Sequence, residues 1–241
     1  MKMSPKFAAV LFDCDGVLVD SEKITNEVLR EMLGELGWHM SSEECVSRFV
    51  GRMLRDEADV IEGHTGYRID EDWLMEFRRR RNVQIADSLE AIPGVVDAVR
   101  TLQQVYPGRL ACASSADRPK INMQLQKIGL FDVFEGRIFS GVELDRGKPA
   151  PDVYLVAAAA LGVDPAESAV IEDSPPGVEA GRAAGAHVFG FCPASPVHQS
   201  PELLLGLGAD ETFTDMTQLP GLLTTSDRRF ESRESSATQS H

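Results

Sequence analysis

Apolar and polar positions along this 241-residue chain follow two rhythms. Short unbroken apolar runs at 10–12, 110–113, 138–139, 169–171 and 188–191 are bounded by turn formers and predict buried strands, with Glu211 to Phe213 as a last short strand. Between them, apolar residues recur at helical spacing. Ile24, Val28, Leu29, Met32, Leu33 and Leu36 mark one helix, with Ser21 as its N-cap and Gly37 as its stop. Further helices are predicted over 95–105, 118–128, 151–161 and 177–184, with Pro151 in the first turn of the third of these. Strand and helix alternate through this part, which implies an α/β fold, a parallel sheet with helices on both faces.

The stretch from Ser41 to about Ser88 breaks the alternation. Its pattern stays helical, interrupted near Gly51, Gly63 and Gly66. With the helix before it, it reads as an all-helical insertion over 21–88, about 70 residues and large enough to pack a small core of its own. Pro93-Gly94 marks the return to alternation, so residues 1–20 and 89–223 form the sheet-bearing unit. The stretch 224–241 has almost no apolar content and is expected to be disordered. Composition narrows the classes. Hydrophobic content of 43% and charged content of 26% suit a soluble globular protein, and no apolar run has the length of a membrane span. Met1 to Lys6 is too short and polar for a secretory signal. A formal net charge of −14 argues against nucleic-acid binding. It leaves room for an anionic substrate, since a metal and a few basic side chains reverse the field locally. Cys14, Cys45, Cys112 and Cys192 form no Cys-x-x-Cys pair, and their usage fits a reducing cytoplasm. Nothing requires a dimer, so a monomer is expected.

Chemistry enters where the strands end. The first runs into Asp13-Cys14-Asp15-Gly16, the second into Ser114-Ser115, and the fourth into Glu172-Asp173-Ser174, while Gly147-Lys148-Pro149 precedes a helix. Alternation puts Asp13 and Asp15 on one side of the extended chain and Cys14 on the other. Two carboxylates that close repel each other unless a cation or a proton relieves them. Each group alone has a bland reading: Ser114 as a turn residue, Lys148 as a solvated lysine, Glu172 and Asp173 as helix caps. Ligands of parallel sheets bind at the carboxyl ends of the strands, and there all four groups would converge. Asp13, Asp173 and a backbone carbonyl make a hard oxygen set suited to Mg²⁺. Ser114, with Ser115, Gly16 and Lys148, can then hold the remaining oxygens of a phosphate.

These motifs, in this order, resemble those of the haloacid dehalogenase superfamily: the run Asp13 to Glu22, then Ser114, Lys148-Pro149-x-Pro151, and Glu172-Asp173-Ser174. The stretch Gly177 to Gly185 is also typical, and the likeness covers the chain to about residue 220. The helical insertion resembles the cap of the subgroup holding phosphoglycolate phosphatase, β-phosphoglucomutase and sugar-phosphate phosphatases. Arg48-Phe49-Val50-Gly51 and Phe139-Ser140-Gly141 look most like the 6-phosphogluconate phosphatase branch.

The resemblance implies a Rossmann-like doubly wound core with an inserted helical cap. It also implies a Mg²⁺-dependent phosphatase acting on a small phosphorylated metabolite. Asp13 would be the nucleophile, Asp15 the general acid/base and Lys148 the charge partner. The metal would be held by Asp13, Asp173 and the Asp15 carbonyl, with Glu172 beside them. The superfamily's dehalogenases lack an acid equivalent to Asp15, so dehalogenation is disfavoured. A phosphomutase is the nearer alternative. In the family's glucomutases an Arg follows the Gly matching Gly51 and a His follows the first motif, whereas register puts Leu54 and Thr25 there. Arg52 and Arg55 flank the first gap and are candidate ligands for a carboxylate or second phosphate. A phospho-acceptor signalling domain is the alternative of another class, though it needs no helical insertion. Of the run Arg78 to Arg81, helix geometry lets at most one or two side chains face the crevice.

Overall fold

The computed structural model describes residues 3–49, 54–194 and 199–226. The strands are β1 (Met3–Pro5), β2 (Ala9–Phe12), β3 (Leu110–Ser114), β4 (Ile138–Ser140), β5 (Ser168–Glu172), β6 (His187–Phe191), β7 (Glu211–Phe213) and β8 (Thr224–Ser226). The helices before β3 are α1 (Glu22–Glu35), α2 (Ser42–Phe49), α3 (Ala58–Thr65), α4 (Glu71–Ser88) and α5 (Val95–Val105). Those after it are α6 (Arg118–Lys127), α7 (Phe131–Phe134), α8 (Asp152–Leu161), α9 (Pro175–Ala183), α10 (Pro201–Leu207) and α11 (Leu219–Leu223).

Six strands form one parallel sheet in the order β4-β3-β2-β5-β6-β7. The chain moves from β2 outward through β3 and β4, then crosses to β5 on the other side of β2. That reversal opens a crevice at the carboxyl ends of β2, β3 and β5. Register brings the ends level: Phe12 pairs with Cys112 on one side and Ile171 on the other. Alternation sorts the strand side chains into two apolar layers. Val10, Phe12, Cys112 and Ile171 pack with Val99 and Leu102 of α5, Ile121 and Leu125 of α6, and Leu219 of α11. Leu11, Ala111, Ala113 and Val170 pack on the opposite face with Tyr154 and Ala157 of α8, Val178 of α9 and Leu204 of α10. The α/β reading from alternation is therefore met by the architecture.

Helices α1 to α4 carry a third apolar cluster of their own. Val28, Leu29, Met32 and Leu33 of α1 meet Cys45 and Phe49 of α2, Ile61 of α3, and Leu74 and Phe77 of α4. Further along α4, Ile85 is packed into the sheet's core instead. Two expectations need correction. Ser21 does not cap α1 with its side chain. Its hydroxyl donates to Asp15 Oδ1 instead of its oxygen accepting from a first-turn N–H. The stretch from 224 is not structureless at its start: Thr224–Ser226 pairs antiparallel with Met3–Pro5, satisfying backbone groups at both ends of the described chain. Residues 227–241 lie outside the described residues. Among the described residues no helix is long and apolar enough to cross a membrane.

Candidate active site

A crevice of about 160 Å³ at the carboxyl edge is lined by Asp13, Asp15, Glu22, Ser114, Ser115, Lys148, Asp173 and Ser174. Strand ends thus bring together most of the expected groups, although they come from distant parts of the chain. At the centre is Lys148, whose ammonium is almost wholly buried. It donates to Asp13 Oδ1 at 2.7 Å, to Glu172 Oε1 at 2.6 Å and to the Ala113 carbonyl at 3.1 Å. Those three acceptors use its three N–H groups. Its charge also lies 4.8 Å from the centre of the Tyr154 ring.

Glu172 is fully buried, and its two oxygens are crowded with donors. Oε1 accepts from Lys148 and from the Tyr154 hydroxyl at 2.7 Å. Oε2 accepts from the Asp173 N–H at 3.0 Å, the Ser174 N–H at 3.2 Å and the Ser174 hydroxyl at 3.0 Å. Burial alone would push Glu172 up, but Lys148, Tyr154 and the Ser174 amide outweigh it and hold it below the usual carboxylate range. The Ser174 hydroxyl in turn accepts from Gly177 N–H and starts α9. Glu172 therefore anchors the lysine and the turn that follows β5.

Asp13, Glu172 and Asp173 can place oxygens within 4.8 Å of one another, the spacing of a metal-binding cluster. Burial pushes Asp13 up to about 7, with Lys148 opposing and Glu172 adding to the rise. Asp173 stands well above the usual range, because it is buried and faces the charges of Glu172 and Asp13. So much negative charge beside one ammonium is the condition a hard cation relieves, and the donor set is all oxygen. Gly16 makes room for it: with φ +80°, a Cβ there would fall 2.0 Å from Asp173 Oδ2. Gly16 was expected to bind phosphate, but its N–H is donated to the Val19 carbonyl at 2.9 Å. Its contribution is the turn and the clearance.

Asp15 has different surroundings. Its carboxylate accepts from Lys120 Nζ at 3.0 and 2.9 Å, from Gln124 Nε2 at 2.7 Å and from the Ser21 hydroxyl at 2.5 Å. Burial raises it, yet Lys120, Ser21 and Gln124 more than compensate, and its pKa ends below the ordinary value. Lys120 and Gln124 stand four residues apart on α6, hence on one face. That spacing was the available signal in the sequence, but nothing there fixed which way the face pointed. Tyr154 was likewise hidden among the apolar residues of α8. The Ser114 hydroxyl is buried at the crevice and accepts from the Ala116 N–H at 3.1 Å, and Ser115 lies beside it, exposed. Arg55 does not reach the crevice lining: it borders a separate cavity and its guanidinium is paired with Glu71. Arg52 lies outside the described residues. All four cysteines are free and buried.

A doubly wound sheet carrying a buried acid–lysine site at its carboxyl edge defines an α/β enzyme. Residues 7–185 match the family model described as haloacid dehalogenase-like hydrolase. The chain belongs to the haloacid dehalogenase-like hydrolases, and it is an enzyme of their phosphatase type. It is 32% identical over 218 residues to 6-phosphogluconate phosphatase of Escherichia coli K12, covering 90% of this chain and 95% of that one. Its fold is similar to that of a conserved haloacid dehalogenase-like protein of unknown function from Agrobacterium tumefaciens. That likeness has a TM-score of 0.80 at 33% identity and covers 90% of this chain and 97% of the other. A hydrolase of the same family from Deinococcus radiodurans, solved with bound phosphate and sodium, matches with TM-score 0.78 at 32% identity. Here 92% of this chain and all (100%) of that one are covered.

Gly177 tests how far the site depends on Glu172. A Cβ at 177 would lie 1.8 Å from Glu172 Oε1, so the buried carboxylate would have to move off its donors. Gly177→Ala is expected to destabilise the protein by about 2 kcal/mol or more. Urea denaturation should show a lower midpoint with an unchanged slope.

Proposed function

We propose that this chain is a Mg²⁺-dependent phosphatase that hydrolyses a small phosphorylated metabolite, a sugar phosphate or phosphosugar acid, through an aspartyl-phosphate on Asp13. The observation that carries this reading is the setting of Asp13. Its Oδ1 is held by Lys148, while no donor among the described residues reaches its Oδ2, and the side chain borders the crevice. A carboxylate oriented through one oxygen presents the other as a nucleophile.

In the first half-reaction an Asp13 oxygen bonds to phosphorus as the bond to the leaving oxygen breaks, and Asp15 gives that oxygen a proton. In the second, a water attacks phosphorus, Asp15 takes its proton, and Asp13 and inorganic phosphate separate. The pKa settings fit the proton traffic. Lys120, Ser21 and Gln124 favour the ionised Asp15 needed to receive a proton. A phosphoryl dianion at Asp13 adds like charge beside Asp15 and raises it, the direction that proton donation requires. Ser114 and Ser115 are the hydroxyls that would bind phosphoryl oxygens, with Lys148 countering their charge. Asp13, Asp173 and the Asp15 carbonyl are the oxygens that would hold Mg²⁺, which would supply positive charge against two anions brought together. Helices α1 to α4 would cover the crevice as a cap, with residues 1–20 and 89–223 as the catalytic core. The mutase alternative loses support at Arg55, whose guanidinium is engaged by Glu71 rather than offered to a second phosphate.

Asp13→Asn should keep the fold and lose phosphate release by more than about a thousandfold; near-normal turnover would sink the mechanism. Adding MgCl₂ to unbuffered protein at about pH 6.5 should acidify it. Asp13, pushed up to about 7 by burial, holds a proton there, which the cation expels. The same addition should raise the melting temperature, by about 2.7 kcal/mol of stabilisation at a hundredfold excess over Kd, and Asp173→Asn should abolish both effects. Lys120→Met removes the counter-charge of Asp15, so the limb of the pH–rate profile that reports Asp15 should move to higher pH by about one unit.

A further inference from the structure

The run Arg78 to Arg81 is divided by the helix that carries it. Successive residues on α4 are about 100° apart, so 78 and 81 share a face while 79 and 80 fall elsewhere. Arg79 donates to Glu76 at 2.7 Å, and Arg80 donates to Glu76 at 2.8 Å and to Glu35 at 2.5 Å. Arg78 and Arg81 have no acidic partner among the described residues. Both border a cavity of about 290 Å³ whose other walls are Leu54, Arg55, Leu74 and Phe77. Arg81 is half-buried. Among the described residues its guanidinium meets the Asn82 side-chain oxygen, at 3.3 and 3.2 Å, and the Phe77 ring, 5.9 Å from its centre. Burial holds it below the ordinary guanidinium range, and the neighbouring Arg78 charge adds to that.

On the helical insertion Arg30, Arg55, Arg68, Arg79 and Arg80 each have an acid and Arg48 lies over the Trp38 ring, whereas Arg78 and Arg81 share one cavity wall with no carboxylate paired to either among the described residues. The acids whose charge reaches Arg81 are Asp15, Asp117 and Glu22, and two of these, Asp15 and Glu22, line the crevice. Arg81 therefore borders the cavity while lying within charge range of the crevice acids.

We propose that Arg78 and Arg81 bind a carboxylate at the end of the substrate away from its phosphate, so that the enzyme's substrates are phosphosugar acids. The inference rests on the phosphatase reading above and adds the substrate class. A carboxylate takes parallel N–H donors from guanidinium groups, and the pairing is strongest at the half-buried Arg81, against the Leu54, Leu74 and Phe77 walls, with the exposed Arg78 adding charge at the rim. A monoanion also suits the position better than a second phosphate dianion, because Asp15 and Glu22 lie close by and repel the larger charge.

The test uses three esters of one chain length, followed by phosphate release: gluconate 6-phosphate, glucitol 6-phosphate, which has a hydroxymethyl group in place of the carboxylate, and glucitol 1,6-bisphosphate. The unaltered enzyme should favour the acid over the neutral ester by about tenfold or more in kcat/KM, chiefly through KM. Arg78→Met with Arg81→Met should bring that ratio close to one, and Arg81→Lys should restore part of it. Arg79→Met, on the face paired with Glu76, should leave the ratio as it was and so exclude a general charge effect. Equal turnover of acid and neutral esters, a ratio that survives the double substitution, or a preference for the bisphosphate would overturn the proposal while leaving the phosphatase reading intact. Release of phosphate from none of the esters, nor from p-nitrophenyl phosphate, would overturn that reading and this one with it.

Discussion

The ammonium of Lys148, buried between Asp13 and Glu172, is the contact on which the site depends. An isolated carboxylate as deeply buried as Glu172 would take up a proton rather than stay charged. It stays ionised because Lys148, Tyr154 and the start of α9 all donate to it. The sheet makes this possible. Asp13, the Ala113 carbonyl and Glu172 come from three neighbouring strands whose register sets them around one point. A single-residue slip in either pairing would turn one of these groups to the opposite face and leave buried charge without a partner.

Asp13 and Asp15 show how two like residues acquire different properties two positions apart. Asp13 faces Glu172 and Asp173, and burial raises it. Asp15 faces a lysine, an amide and a hydroxyl, and is lowered. The side chain between them serves the second arrangement: Cys14 donates to Gln124 Oε1 at 3.4 Å, which leaves the amide's N–H to Asp15. Opposed environments of this kind suit one acid to nucleophilic attack and its neighbour to proton transfer.

Strand positions and the groups that end them were legible in the chain, because a buried parallel strand is a short apolar run and its last residue has only one place to go. Asp13, Ser114, Glu172 and Asp173 end or directly follow strands in this way, whereas Lys148 was placed by the loop before α8. Groups delivered by helix faces were not. Lys120, Gln124 and Tyr154 matter through the rotation of α6 and α8 against the sheet, which packing decides and local pattern does not. Ser21 looked like a cap because capping is a local rule, whereas the neighbouring carboxylate that claims its hydroxyl depends on the Gly16 turn. Arg55 was singled out for its place in the chain, but its partner Glu71 lies on the next helix. Thr224–Ser226 carried no apolar signal, since a short edge pairing is held by backbone groups alone.

The position of β2 has a consequence for how the chain comes together during synthesis. Ala9–Phe12 leaves the ribosome roughly a hundred residues or more before its partners, which are residues 110–112 on one side and 168–171 on the other. Helices α1 to α4, with their own apolar cluster, can pack in the interval because their contacts are local. Until β3 arrives, β2 is an unpaired apolar edge of the kind that invites association between nascent chains. The segment directly after it is Asp13-Cys14-Asp15, unneutralised at that stage, and flanking charge is what keeps such edges apart. The carboxylates of the mature crevice thus serve the newborn chain first, as gatekeepers of its most aggregation-prone strand.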